Sequence, residues 1–314
     1  MKILVTGGAG FIGSHVVDAL VKEGHDVCVV DNLSTGREEN LKESKDKISF
    51  HKVDITSPEL DKVFEKENPE AVFHVAAQID VRKSMNDPKW DANINILGTL
   101  NVLECMKKHG AKKIIYSSTG GAIYGETGNL PTPESQEPEA ICAYGISKYC
   151  SEQYFHLYKL LSNIDYIILR YGNVYGPRQD PLGEAGVVSI FIGNILRGKD
   201  CKINGDGKQT RDYVYVGDVV KANLLALKAN PKSRIFNIGT QKETDVNELY
   251  AAIAKQAKKI TGKTASAFNA PAIPGEVCRS CLDIGLAKKE MGWAPTIGLA
   301  EGIMKTAEFF REIR

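Results

Sequence analysis

The sequence predicts a doubly wound α/β fold: a parallel, Rossmann-type sheet with helices on both faces, joined to a smaller C-terminal α/β domain. Two observations point there. Short runs rich in Val, Ile and aromatics alternate with helical patterns over roughly the first half of the chain. Most of these runs lack the every-second-residue alternation of a half-exposed sheet, as strands buried on both faces should. In addition, a glycine-rich turn, Thr6-Gly-Gly-Ala-Gly-Phe-Ile-Gly13, follows the first run directly and opens the first helix.

Taken in order, the expected strands are Ile3–Val5, Asp26–Val30, Ile48–Val53, Ala71–Val75, Lys113–Ser117 and Tyr166–Tyr171. Helical segments fall between them at Phe11–Lys22, Pro58–Glu65, Asp91–His109 and Ala143–Leu161. Strand–helix repetition of this kind implies right-handed crossovers and a parallel sheet. Beyond Gly172 the pattern loosens into loops, single strands and helices at Val187–Leu196, Asp245–Lys258 and Ile297–Arg311. The reading is a nucleotide-binding domain over 1–171, with 214–240 returning to it through a strand at Arg234–Ile238. Residues 172–213 and 241–314 then form a second domain over the carboxyl edge of the sheet.

With 314 residues, 43% hydrophobic and 25% charged, the chain has an ordinary globular balance and room for a large core. A formal net charge of +1 offers no basic field for nucleic acid, and no apolar run reaches the length of a membrane span. Seven scattered cysteines, an odd number, fit reduced thiols and a cytoplasmic setting. Cys278-Arg-Ser-Cys281 lacks a second pair or a nearby His, and His15, His74 and His109 have no metal-ligand spacing. No metal is expected.

The glycines fit Gly7-x-x-Gly10-x-x-Gly13 and Gly8-x-Gly10-x-x-Gly13. Both arrangements set backbone N–H groups and a helix N-terminus against a pyrophosphate, where side chains would block the approach. Asp31 ends the second strand, where a carboxylate accepts from an adenosine ribose 2′-OH and repels a 2′-phosphate. NAD is therefore favoured over NADP. Asp54-Ile55, after the third strand, sits where an adenine edge is read; a plain strand-end Asp is the competing explanation.

Downstream, Tyr144 and Lys148 stand four residues apart in Ala143-Tyr-Gly-Ile-Ser-Lys148, on one helical face. A free tyrosine titrates near pH 10, so lowering it by about three units requires roughly 4 kcal/mol of preference for the phenolate. One cation at ~4 Å supplies about that much at an effective dielectric near 20. The pair is expected to transfer protons beside the nucleotide.

Together these residues resemble the extended short-chain dehydrogenase/reductase family in its nucleotide-sugar branch, and within it the 4-epimerases of UDP-hexoses. The resemblance runs through Thr6–His15, Asp31-Asn32-Leu33, Asp54-Ile55, His74-Val-Ala-Ala-Gln78, Asn95-x-x-Gly98-Thr99 and Ser117-Ser118-Thr119. It continues in Tyr124-Gly125, Tyr144-x-x-x-Lys148, Leu169 to Pro177, Gly207 to Tyr213 and Gly275-Glu276. It implies that Gly7, Gly10, Phe11 and Ile12 cradle the pyrophosphate of a tightly held NAD. Asp31, Asn32, Ser34, Gly36, Asp54 and Ile55 would hold its adenosine; Ala76, Ala77, Gln78, Asn95, Tyr144, Lys148 and Tyr171 would face the nicotinamide half. Tyr144 would be the base, with Thr119 or Ser118 the hydroxyl at the sugar O4. The family's Ser/Thr-x-x-Val-Tyr-Gly carries one extra residue here, Thr119-Gly-Gly-Ala-Ile-Tyr-Gly, which leaves that choice open.

For a UDP-sugar substrate the resemblance implies Asn173 and Arg211 at the phosphates and Val188, Asn204 and Ser280 in the pocket. The family's second phosphate-binding Arg falls at Ile273, with Arg279 as the substitute; Asn204 stands where an aromatic often stacks on the base. Dehydratase and decarboxylase branches carry acidic residues after the hydroxyl, where Gly120 and Gly121 stand here. The implied reaction is therefore exchange of UDP-glucose and UDP-galactose, extended to the N-acetyl pair by the small Ser280. UDP-glucuronate and UDP-GlcNAc 4-epimerases are the neighbouring alternatives. A non-catalytic NAD-sensing regulator, on the same scaffold, commonly lacks the Tyr/Lys pair. The family also implies a homodimer through the helices at Asp91–His109 and Ala143–Leu161.

Overall fold

The computed structural model describes residues 1–181, 186–272 and 277–312. In chain order, β1 (Lys2–Thr6), α1 (Phe11–Lys22), β2 (Asp26–Val30), β3 (Ile48–His51), α2 (Leu60–Glu67) and β4 (Ala71–His74) form the first half of the sheet. Then come α3 (Val81–Asn86), α4 (Pro88–Ala92), a π-helical turn at Asn93–Leu97, α5 (Gly98–His109) and β5 (Lys113–Thr119). The short α6 (Gly120–Ile123), the long α7 (Ala143–Ser162) and β6 (Asp165–Tyr171) follow. The remainder comprises β7 (Asn173–Tyr175), α8 (Val187–Leu196), β8 (Cys201–Asn204), β9 (Thr210–Arg211), β10 (Tyr213–Tyr215) and α9 (Val216–Lys228). It closes with β11 (Ile235–Ile238), β12 (Thr244–Asp245), α10 (Val246–Thr261), β13 (Ala267–Ala270), α11 (Gly285–Met291) and α12 (Leu299–Glu312).

Seven parallel strands make the main sheet, in the order β11-β6-β5-β4-β1-β2-β3. The order reverses between β1 and β4, and in a doubly wound sheet the ligand crevice lies at the carboxyl ends of the strands at such a point. Because consecutive strand residues face opposite sides, Ile3 and Val5 enter one core with Val16, Leu20, Phe236 and Trp293, from α1, β11 and the segment after α11. Leu4 enters the other core, with Phe64, Leu103 and Phe155 from α2, α5 and α7. A third core unites α8, α10 and α12 around Phe191, Leu249, Ile253 and Phe310. A capping box starts α10: the Glu248 amide donates to the Asp245 side chain at 2.7 Å, and the Asp245 amide donates back to Glu248.

The stretch expected over Asp91–His109 is helical throughout, but it begins at Pro88 and contains a π turn at Asn93–Leu97. Asp87 caps α4 by accepting from the Trp90 amide at 2.9 Å, with Pro88 in the first turn. The backbone then widens into the π turn. There the Asn95 carbonyl accepts from the Thr99 hydroxyl at 2.6 Å and from the Ser151 hydroxyl of α7 at 2.8 Å. Hydroxyls have thus taken over a carbonyl of the turn, a disturbance typical of π bulges at functional sites. Gly98 lies close against Ile55 where the turn ends: a Cβ there would stand 2.7 Å from the Ile55 terminal methyl, which would have to shift.

Candidate active site

The cradle forms where β1 hands over to α1. Gly7 has a φ of +67°, and a Cβ on it would sit 2.7 Å from the backbone of Ala76, just beyond β4. A Cβ on Gly13 would meet the Gly7 carbonyl oxygen at 2.1 Å. The turn therefore cannot carry side chains at these points. Gly10 provides no side-chain cap to α1, so the first-turn N–H groups of Phe11 and Ile12 remain available to an anion.

Asp31 follows β2 nearby. Its carboxylate accepts from the Ala9 amide at 3.0 Å and the Leu33 amide at 2.8 Å, and a Cβ on Gly36 would crowd it at 2.8 Å. Burial raises the pKa of its carboxyl, with the two amides pulling it back down. The Asn32 side-chain amide donates to Asp54 at 2.7 Å, while the Ser34 backbone amide bonds back to Asn32. Ile55 is buried, and its carbonyl is held by Asn101 at 2.7 Å. A turn that excludes side chains, an open helix N-terminus and a positioned carboxylate together fit a dinucleotide with an unmodified 2′-OH.

At the end of β5, the Thr119 hydroxyl lies beside the Tyr144 phenol, near enough to act on its ionisation. Burial pushes that phenol well above its ordinary pKa, and Thr119 partly offsets the push. Ser118, one residue earlier, faces the opposite side of the strand and donates to Glu152 at 2.6 Å inside a closed network. Arg170 grips the same carboxylate twice, at 3.0 and 2.5 Å, and both side chains are buried. Of the two hydroxyls that the extra residue left open, Thr119 is the one beside Tyr144, and Ser118 is spent on Glu152.

Lys148 and Tyr144 share one face of α7, and the Lys148 ammonium lies 4.2 Å above the ring of Tyr116, a cation–π contact. Burial brings its amine down to about 7, with the carboxylates of Glu152 and Asp91 pulling the other way. An unfolded lysine near 10.5 binds a proton across the interval above 7 that the folded residue does not, so this group's contribution to stability rises with pH from 7 toward 10.5. Lys148→Met is expected to flatten that rise in urea unfolding of the dinucleotide-free protein between about pH 7.5 and 9.5. An unchanged slope would show that the amine is charged in the fold.

Gln78 and Asn95, expected along the nicotinamide half of the cofactor, belong to one buried polar network. Both are buried, with amides directed at Asp91 at 2.8 and 3.2 Å; Asn95 also donates to Ser147 at 3.0 Å and accepts from the Gln78 backbone N–H at 2.9 Å. The Asn95 amide also donates to the Gln78 carbonyl at 3.0 Å, which braces the backbone after β4. Tyr171 turns into the core, where its hydroxyl accepts from Asn223 at 2.8 Å. Sequence reading misses Glu152, Arg170, Asp91 and Tyr116 as members of this region. Continuing the four-residue step from Tyr144 and Lys148 to Glu152 would find the first.

On the substrate side, a Cβ on Gly121 would lie 3.4 Å from the Asn173 side-chain oxygen and 4.0 Å from the Thr119 hydroxyl, so these two groups flank one small space. Arg211 lies on β9, paired with β12, and its guanidinium donates to the Thr210 carbonyl at 2.8 Å. Arg279 bridges to β9 and is held by Glu243 in a two-point ion pair at 2.9 and 2.6 Å. Asp212 secures this corner, accepting from the Thr240 amide and hydroxyl at 2.7 and 2.6 Å and from the Leu282 amide at 3.2 Å. Ser280 is buried, its amide bonded to the Thr210 carbonyl, and Asn204 ends β8. Val188, by contrast, is a fully packed member of the third core, because α8 turns its apolar face inward. Ile273 and Gly275-Glu276 lie outside the described residues.

A family model for the NAD dependent epimerase/dehydratase family matches residues 3–239. The chain is similar to a UDP-glucose 4-epimerase of Mycolicibacterium smegmatis, 44% identical over 313 residues that cover 99% of both chains. Among solved structures it is similar to the UDP-glucose 4-epimerase of Thermotoga maritima with UDP-glucose, at a TM-score of 0.94 and 49% identity, covering 100% of this chain and 99% of the other. The UDP-glucose 4-epimerase of Thermus thermophilus in complex with NAD superposes at a TM-score of 0.92 and 42% identity, covering 99% of each. On its sequence, its sheet and its cradle, the chain belongs to the NAD dependent epimerase/dehydratase family.

Proposed function

We propose that this protein is a UDP-glucose 4-epimerase, which interconverts UDP-glucose and UDP-galactose on a tightly held NAD. One observation carries the reading: the Thr119 hydroxyl and the Tyr144 phenol meet at the end of β5, next to two glycines that add no further acid or base. Such a site suits removal and return of hydrogen at one carbon and nothing beyond it. The similarity to UDP-glucose 4-epimerases supports the hexose.

When bound, NAD supplies reversible hydride acceptance at the sugar C4. The chain's own residues do the rest. Gly7, Gly10, Phe11 and Ile12 hold the pyrophosphate, and Asp31, Asn32, Ser34, Gly36, Asp54 and Ile55 hold the adenosine. Tyr144 takes the 4-OH proton and later gives it back, while Thr119 orients the phenol and the sugar O4. Lys148, charged or neutral with little cost near pH 7, adds positive potential when the phenolate forms. Asn173 and Arg211 grip the nucleotide, and Arg279 joins them by exchanging Glu243 for phosphate. Purified protein given UDP-galactose and no added coenzyme is expected to reach an equilibrium with UDP-glucose. Unchanged UDP-galactose, or coenzyme consumed one-for-one, would sink the reading.

The small, buried Ser280 favours a second substrate pair, UDP-GlcNAc and UDP-GalNAc, by leaving room at C2. Ser280→Tyr is then expected to depress turnover of the N-acetyl pair at least about tenfold, while the glucose–galactose rate changes far less. Equal losses on both pairs would remove Ser280 from substrate selection.

A homodimer in the cytoplasm completes the reading. Seven free thiols support the compartment. Trp90, Leu97, Ile146, Leu157, Leu160 and Leu161, on α4, the π turn and α7, are exposed large apolar residues, with Leu160 and Leu161 at 70%. An apolar surface of this extent on neighbouring helices suits a self-complementary, two-fold interface. Light scattering is expected to give twice the 34.4 kDa chain mass. Leu161→Glu should return the mass to one chain; a wild-type monomer would refute the interface.

A further inference from the structure

We propose that Cys28, His51 and Glu67 form a zinc-type metal site on the sheet face covered by α2, sharing no residue with the dinucleotide cradle. Cys28 of β2 and Ser49 of β3 are register partners, and His51 lies two residues further along β3, so all three project from one face. Glu67, the last residue of α2, closes over that face. The thiol, imidazole and carboxylate ligand atoms all lie within 4.8 Å of one another. No short sequence motif announces them, because they come from three separate elements.

The donor set is that of Zn²⁺: one sulfur, one nitrogen and one oxygen, with the fourth position left for water. His51 Nε2 and Glu67 Oε1 are 2.7 Å apart, sharing a proton. In a tetrahedral site with bonds of about 2.1 Å they would stand roughly 3.4 Å apart, so the metal replaces that proton with a small opening. Cys28 loses its thiol proton to solvent; its thiolate and the carboxylate then balance the two positive charges of the metal. Lys2 stays on the other carboxylate oxygen at 2.7 Å, braced by Asp26 at 3.0 Å, and orients Glu67 from outside the site.

Two further features point to a ligand. The Ser49 hydroxyl lies against both the Cys28 thiol and the Glu67 carboxylate, yet its oxygen is buried without a well-formed hydrogen bond. A shallow pocket of about 290 Å³ opens at His51, bounded by Glu59, Lys62 and Lys66, so the imidazole borders solvent.

The test uses the full-length protein with its dinucleotide, dialysed against chelator and titrated with Co²⁺. One cobalt per chain is expected, with a thiolate-to-cobalt charge-transfer band that equimolar Zn²⁺ abolishes. His51→Gln and Cys28→Ser should each weaken binding at least tenfold, while Cys278→Ser, at an exposed cysteine, should leave the band intact. Zn²⁺ should also raise the melting temperature of the wild type but not of His51→Gln. No band in the wild type, a band that survives Cys28→Ser, or one that disappears in Cys278→Ser overturns the proposal.

Discussion

Tyr144→Phe is expected to lower turnover of UDP-galactose by about 10²- to 10⁴-fold, the range that a positioned proton-transfer group contributes. The bound dinucleotide should remain at the wild-type level. The separation follows from the geometry. The phenol meets Thr119 at the end of β5, whereas the cradle is built from Gly7, Gly10 and Gly13 and from the carboxylate of Asp31. Phenylalanine keeps the ring and its packing on α7 and deletes only the oxygen that accepts the 4-OH proton. The measurement pairs initial rates with the ultraviolet absorbance of coenzyme released on denaturation. A variant with nearly the wild-type rate would take Tyr144 out of the reaction; one that has lost its coenzyme would make the ring part of the cradle.

The second large effect concerns stability. Glu152→Gln is expected to destabilise the protein by about 3–5 kcal/mol, because it leaves the Arg170 guanidinium buried without a counter-charge. Both side chains are essentially inaccessible, at 0% and 3% exposure, so solvent does not screen the loss. The damage spreads, since Arg170 also donates to the Tyr124 hydroxyl at 2.9 Å and Tyr124 to Asn237 of β11 at 2.8 Å. One chain of polar groups therefore joins β5, α7, β6 and β11. Calorimetry should register a fall in melting temperature on the order of 10 °C. The double variant Glu152→Gln with Arg170→Met should recover part of it, because no unpaired charge remains. A single variant that melts within about 2 °C of wild type would show that the pair is not a stabilising element.

Much of this molecule is legible in the sequence because its signals are local. The first strand, the glycine turn, α1 and the Asp31 terminus follow from adjacent residues whose backbone requirements leave few alternatives. The boundaries of α1 and α8 agree to the residue. What escapes depends on contacts between distant segments. At the π turn one carbonyl accepts from both Thr99 and Ser151, and Ser151 lies on another helix. Lys148 packs over the face of Tyr116, a ring that β5 brings from 32 positions earlier in the chain. Arg279 reads as a free phosphate ligand, but β9 and β12 bring Glu243 against it. Ser118 and Thr119 are indistinguishable in sequence, yet strand alternation sends them to opposite sides. In each case the residue type is informative and the partner is invisible.

The position of β11 bears on how the chain is made. β6 finds its outer neighbour only at Ile235–Ile238, so that edge stays bare on the ribosome until most of the polypeptide has emerged. A growing chain halted after Tyr171 would expose the backbone donors and acceptors of an Ile- and Leu-bearing sheet margin, an invitation to wrong pairing. Fragments that stop short of residue 238 should therefore clump during synthesis, and supplying the missing segment in trans should rescue them.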